Sequence, residues 1–187
     1  MYEFPFGISE IAGVANRTDY DLLQHEKFSG KDLHYFDEQS GEKYIPYVIE
    51  PTMSIERAML AALVDGYTES DGTDGREKGE VVLKLNAKIA PVQVGVFPLV
   101  KKDKLPEIAN NIRLDLVKQG IRSYYDESGS IGRRYRRLDE IGTPWCITVD
   151  FDSLKDDTVT IRDRDTLKQE RIKISEIEKY ISSKLTS

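Results

Sequence analysis

For the C-terminal half of this 187-residue chain the sequence predicts an α/β fold built on a mixed β-sheet. Two observations predict it. Strand-like apolar runs alternate with segments whose apolar residues recur at helical spacing, and that order builds a mostly parallel sheet covered by helices. Near the C-terminus two further strand-like runs, 158–162 and 169–174, flank a polar turn and read as an antiparallel hairpin added to that sheet.

Taken in order, residues 44–50 (YIPYVIE) read as a strand ending at Pro51, and 54–67 follow as a helix with Ile55, Met59, Ala62 and Leu63 on one face. The stretch 68–80, TESDGTDGREKGE, holds three glycines and no aliphatic residue, so it reads as an exposed loop or linker. It divides the chain into 1–67 and 81–187. Beyond it, 91–98 alternates as a strand, and Leu105, Ile108, Ile112 and Leu116 line a helix that Gly120 stops. Residues 121–125 are strand-like, Ser130 is placed to cap a short helix through Leu138, and 144–151 is an apolar strand of the buried type. After the hairpin, Ser175-Glu-Ile-Glu178 has the spacing of a capping box and opens a last helix to Leu185.

Composition narrows the chemistry. Apolar residues make up 39% and charged residues 32%, enough of the former for a packed core. The lone cysteine, Cys146, lies inside an apolar run, and His25 and His34 are the two histidines, which leaves few ligands for zinc or thiol chemistry. No stretch approaches the length of a membrane span and no secretory signal is evident, so a cytoplasmic protein is expected. The formal charge of −6 is uneven: residues 1–80 carry −10 and residues 81–187 carry +4. Either the second half alone meets a polyanion, or this is ordinary scatter between domains.

Two clusters could carry function. Glu50, Thr52 and Arg57 sit at a strand end and in the first turn of the helix behind it. There a carboxylate can hold an ammonium, a hydroxyl can add a hydrogen bond, and an arginine can stack on a purine or pair with phosphate; a surface arginine and a paired glutamate are the plainer alternative. The second cluster is DESGSIGRRYRRLDEIGTP from Asp126 to Pro144, with RDRDT at 162–166. Four arginines after a glycine turn suit phosphates and Tyr135 suits a stacked base, whereas a solvated helix face paired with Asp139 and Glu140 is the alternative.

The segment YIPYVIEPTMSIERAML resembles motif 3 of class II aminoacyl-tRNA synthetases in the form used by glycyl-tRNA synthetases, whose core reads E-P-S-x-G-x-x-R. FPFGISEIAGVANRTDYDL and Ser29-Gly-Lys-Asp-Leu33 continue the likeness upstream. Thr52 and Ser54 stand where that family has serine and glycine. By this resemblance Glu10 and Ile11 contact ATP, Arg57 is the catalytic motif 3 arginine on ATP, and Glu50, Pro51 and Thr52 border the glycine pocket. ATP is expected as a substrate, with Mg2+.

KLNAKIAPVQVGVFPLVKK, SGSIGRRYRRLDEIGTP and TVTIRDRDT are similar to the anticodon-binding domain of class IIa synthetases, especially the archaeal and eukaryotic glycyl type. That domain is a five-stranded mixed sheet flanked by helices. The resemblance therefore implies a class IIa anticodon-binding domain at 81–187, preceded over 1–67 by the C-terminal fragment of a class II antiparallel-sheet catalytic domain. Arg133, Arg134, Tyr135, Arg162, Asp163 and Arg164 are expected to face tRNA, with Lys101, Lys102 and Lys104 adding phosphate attraction.

The expected activity is ATP-dependent attachment of glycine to tRNA(Gly) through glycyl-adenylate. Motifs 1 and 2 do not occur, so a missing N-terminal catalytic portion is an expected partner, the chain by itself is expected to be inactive, and a homodimer is expected for a full-length family member. No membrane partner is expected. The alternative from a different class is a non-catalytic tRNA-binding module or a polymerase accessory subunit related to the synthetase. Another class IIa specificity fits Glu50-Pro51-Thr52 less well.

Overall fold

The computed structural model describes residues 1–186. They divide into two compact units, Met1–Ala61 and Ala62–Ser187.

The first unit contains β1 (Tyr2–Phe4), β2 (Gly7–Ser9), β3 (Ala12–Asn16), α1 (Tyr20–Ser29), β4 (Tyr35–Phe36), β5 (Lys43–Tyr44), β6 (Ile49–Met53) and the start of α2 (Ile55–Gly66). The strands pair antiparallel as β1–β2, β3–β6 and β4–β5. The strand expected to end at Pro51 instead runs through it to Met53, paired with β3. Proline is tolerated there because a two-stranded sheet is all edge. Among the described residues only Phe4 and Ala61 of this unit are buried apolar groups, while Val14, Phe28, Met53 and Ile55 are mostly exposed. The unit closes no core of its own.

In the second unit β7 (Tyr67–Glu69) and β8 (Val81–Leu83) form an antiparallel hairpin. Residues 70–80 are its loop, and Ser70 and Arg76 within that loop are buried. The composition of 68–80 suggested an exposed loop or linker; in the structure residues 70–80 are a largely exposed hairpin loop, anchored to the second unit by those two buried side chains. There follow β9 (Val94–Pro98), α3 (Leu105–Lys118), β10 (Ser123–Tyr125), α4 (Ile131–Glu140), β11 (Trp145–Val149), α5 (Ser153–Asp156), β12 (Thr158–Asp163), β13 (Gln169–Lys173), a 3-10 turn at Ile174–Glu176, and α6 (Ile177–Thr186).

The sheet has the order β10-β9-β11-β12-β13, with β10, β9 and β11 parallel and β12 and β13 antiparallel. It is the mixed sheet that the alternation and the hairpin predicted, with the five strands that the resemblance implied. All residues of β9 and β11 are buried because helices cover both faces; β11 read as an apolar run for that reason, whereas the alternation read over 91–98 does not mark an exposed face of β9. On one face Val94, Val96, Ile147 and Val149 pack with Leu105, Ala109, Ile112 and Leu116 of α3 and with Ile177 and Ile181 of α6. On the other, Phe97 and Cys146 meet Leu138 of α4.

One glycine sets the spacing of that second face. A Cβ on Gly95 would lie 2.2 Å from Leu138 Cδ1, so α4 lies this close to β9 only because residue 95 has no side chain. Gly120 does stop α3, at φ 78°. Where a capping box was expected to open the last helix at Ser175, the 3-10 turn takes up Ser175 and α6 begins at Ile177, with Glu178 in its first turn.

Candidate functional site

In the first unit, strand pairing and the helix start bring together residues far apart in sequence. β3 and β6 set Gly13 opposite Thr52 and Ala15 opposite Glu50. Residues two apart share a strand face, so Glu50 and Thr52 point to the same side, where their cross-strand neighbours are small, and Pro51 points to the other. A cleft of about 310 Å³ is lined by Glu10, Ile11, Thr52, Met53, Ser54 and Arg57. Arg57 Nη1 donates to the Glu10 carbonyl oxygen at 2.5 Å, which holds the guanidinium against the cleft. Gly13 is again a spacer: a Cβ there would lie 2.8 Å from Glu10 Oε1.

Ser54, at the position where a glycine was expected, does not have a positive φ. Its Oγ accepts a hydrogen bond from the Arg57 backbone N–H at 3.2 Å and so caps the start of α2, a role serine performs well. Glu50 lies outside the cleft lining, and its Oε2 is 3.5 Å from Arg17 Nη1. Arg17 also hydrogen-bonds Asp21 at 2.6 and 2.8 Å, and this contact, with the attraction of Asp21 and then Glu50, pushes the guanidinium pKa up. Sequence reasoning did not single out Arg17. Elsewhere in this unit Glu26, Asp32 and His34 offer ligand atoms within 4.8 Å of one another, but Lys43 already sits on Asp32 at 2.5 Å.

In the second unit the arginines sort into two kinds. Arg134 is buried, with Nη1 donating to the Pro98 carbonyl at 2.5 Å and Nη2 to that of Gly129 at 2.8 Å. Arg164 is buried too: Nη1 serves the carbonyls of Leu83, Leu85 and Gly142 at 3.1, 3.0 and 2.8 Å, and the rest of its fork binds Asp165. Asp163 caps the β12–β13 turn, its Oδ1 accepting from the backbone N–H groups of Asp165 and Thr166 and from Thr166 Oγ1. These three were expected to face RNA; their charged ends are instead committed to the fold. A buried guanidinium must place five N–H donors, and backbone carbonyls are what is near.

The other residues lie around a second cleft, of about 480 Å³, lined among others by Arg133, Tyr135, Arg136, Arg162, Gln169 and Glu80. Arg162 makes a bidentate pair with Asp139 at 2.9 and 2.8 Å, and its guanidinium stands 4.7 Å from the centroid of the Tyr135 ring. Burial, the largest single influence, would lower the Arg162 pKa, but the hydrogen bonds it donates to Asp139 and the attraction of that carboxylate together raise it. Tyr135 is half-buried, its hydroxyl 2.7 Å from Thr148 Oγ1, and burial pushes its phenol pKa up. One face of the ring is therefore taken by Arg162. Arg137 binds Asp126 and the Ser128 carbonyl, and Arg136 binds Glu80. Among the described residues Arg133 makes no ion pair or hydrogen bond, and it is exposed. Lys101 pairs with Glu127 at 3.2 Å, whereas Lys102 and Lys104 are exposed without a partner among the described residues.

Sequence reasoning missed Arg76, Glu80 and Gln169 at this cleft, and named Arg136 only as one of four helix arginines suited to phosphates. Arg76 reaches in from the hairpin loop, with Nη1 3.0 Å from Asp74 and Nη2 bound to the Arg164 carbonyl and 3.5 Å from Asp139. A charged side chain in a glycine-rich polar stretch carries no sign that it is buried. The alternation of β13, with Gln169 at its start, was the signal that could have flagged that residue.

Residues 93–184 match the family model described as "Anticodon binding domain". In fold the chain is similar to a crystal structure of the RNA binding domain of threonyl-tRNA synthetase from Cryptosporidium parvum Iowa II, with a TM-score of 0.61 at 22% identity over 81% of this chain and 34% of that one. In sequence it is 58% identical over 184 residues to the glycine-tRNA ligase of Caldanaerobacter subterraneus subsp. tengcongensis, and 50% identical over 184 residues to that of Clostridium acetobutylicum. Each match covers 98% of this chain and 39% of the relative. The second unit thus holds an anticodon-binding domain. The chain is similar over nearly all of its length to glycine-tRNA ligases and spans 39% of the length of the relatives named here. No described helix is long and apolar enough to cross a membrane.

Proposed function

We propose that the chain is the motif 3 and anticodon-reading portion of a cytoplasmic glycine-tRNA ligase, which attaches glycine to tRNA(Gly) through glycyl-adenylate at the expense of ATP. The observation that carries the catalytic half of this reading is the convergence of Glu10, Ile11, Thr52 and Arg57 on one cleft. Arg57, held by the Glu10 carbonyl, offers a planar cation for the adenine face or the phosphates. Glu50 offers its carboxylate to the ammonium of glycine, shared with Arg17, while the Thr52 hydroxyl on the same strand face adds a hydrogen bond and Pro51 shapes the strand. Glu10 is the carboxylate among the cleft residues. One carboxylate with the phosphates of ATP fits Mg2+, which keeps several waters and takes few protein ligands.

Adenylate formation depends on clamping ATP from several sides, so the remaining parts of the ligase, including a homodimer partner, are needed for activity. A second reading, a tRNA-binding module without catalysis, is favoured by one observation: Thr52 adds a methyl group to a pocket built for the smallest amino acid. Footprinting of a tRNA(Gly) transcript on this chain tests the RNA half directly. Protection of the anticodon loop is expected; protection confined to the acceptor stem, or none, contradicts the reading.

A further inference from the structure

At the mouth of the second cleft Arg136 of α4 is hydrogen-bonded to Glu80, the last residue of the β7–β8 loop, and Glu77 lies 3.6 Å from the same guanidinium. The Arg136 side chain is 47% exposed and that of Glu80 19%. An ion pair this open contributes little to folding. It does change what the cleft can bind. A free arginine presents donors alone, and any phosphate satisfies them. An arginine joined to a carboxylate presents its remaining N–H groups beside carboxylate lone pairs, and a phosphate, which has only acceptors and a negative charge, is a poor match. The edge of a nucleobase carries acceptors and donors side by side and matches both. Gln169, which lines the same cleft, has a side-chain amide that is again donor and acceptor, with no hydrogen bond among the described residues.

We infer that Glu80 and Arg136 are a specificity-determining pair that reads the edge of a single unstacked nucleobase, leaving phosphate to the unpaired Arg133 of the same cleft. This rests on the reading that the second unit binds the anticodon loop of a tRNA. It also extends the reader beyond the matched domain: residues 70–80 lie outside 93–184, yet Arg76 fixes their loop to the cleft and Glu80 supplies the acceptor.

The test is a titration of the whole chain, Glu80→Gln and Arg136→Gln with a tRNA(Gly) transcript and the same transcript with a changed anticodon, across a range of salt. Glu80→Gln releases Arg136 to phosphate. Both RNAs then bind more tightly at low salt, with a salt slope steeper by about 0.7 for one added single-strand contact. The preference for the native anticodon falls by about tenfold, as expected for losing one base-reading pair. Arg136→Gln, on an exposed helix face, loses the same preference without steepening the slope. Two results overturn the inference: undiminished preference in both variants, or equal weakening toward both RNAs at unchanged slope, which is what a mere brace for the loop would give. A wild-type chain with no anticodon preference overturns the parent reading as well, and that result is seen before any variant is made.

Discussion

Asp139 is the residue on which the second unit's buried charges turn. It accepts both bonds of Arg162 and lies 3.5 Å from Arg76, and all three are buried. Two guanidiniums around one carboxylate are tolerated because Nη1 and Nη2 of Arg76 also bind Asp74 and the Arg164 carbonyl, while its buried Nε has no hydrogen-bond partner among the described residues. Removing the carboxylate strands two cations away from water, and breaking one side of a buried pair costs about 3 to 5 kcal/mol. Asp139→Ala is therefore expected to lose that much in urea denaturation. A loss below about 1 kcal/mol, the scale of an exposed pair, would show that water reaches the cluster and that Arg162 is not fixed by it. At this scale the sequence was legible in chemistry more than in placement. RRYRRLDE and RDRD announced arginines and acids in one neighbourhood, and Asp139 was recognised as a partner. Which arginine faces solvent depends on helix phase and on nearby carbonyls, so Arg134 and Arg164 could not be told from Arg133 and Arg136 by spacing alone.

At the scale of elements, α4 decides where the side chains proposed to meet RNA stand. Its Leu138 enters the space left by Gly95, and through that contact the helix is set down on β9 and β11. A Cβ at 95 would also lie 3.0 Å from Phe97 Cζ and 3.3 Å from Cys146 Sγ, so no neighbour offers relief. Gly95→Ala is expected to destabilise by about 1 to 3 kcal/mol through overpacking. Combining it with Leu138→Ala, which opens the space, is expected to cost less than the sum of the two singles, and strict additivity in that double-mutant cycle would deny the contact. Periodicity showed the strands and helices of this unit because each buries a regular face. It did not show the β7–β8 hairpin, whose two strands are three residues each and whose loop is polar. Short strands give too few alternations to register, and the burial of Arg76 is a tertiary fact.

For the molecule as a whole, the two units differ in what holds them. The second encloses a core on both faces of its sheet; the first leaves its apolar side chains largely open and buries two. At about 25 cal/mol per Å² of apolar surface removed from water, a unit that removes so little has little to set against its chain entropy. The motif 3 likeness was legible in the first unit because its residues are set by chemistry, whereas its architecture was not, since its short strands pair without a core whose periodicity could be read. Where function can be tested on this chain by itself is therefore the second unit and its arginine-lined cleft.

The direct test of that is the ratio of dissociation constants for tRNA(Gly) transcripts with native and altered anticodons, measured at one near-physiological salt concentration because phosphate contacts make each affinity salt-dependent. The account predicts tighter binding to the native anticodon by about 1 kcal/mol or more for each base changed. Equal, weak binding to both would contradict it and would favour an RNA-binding module that holds the backbone without reading the anticodon.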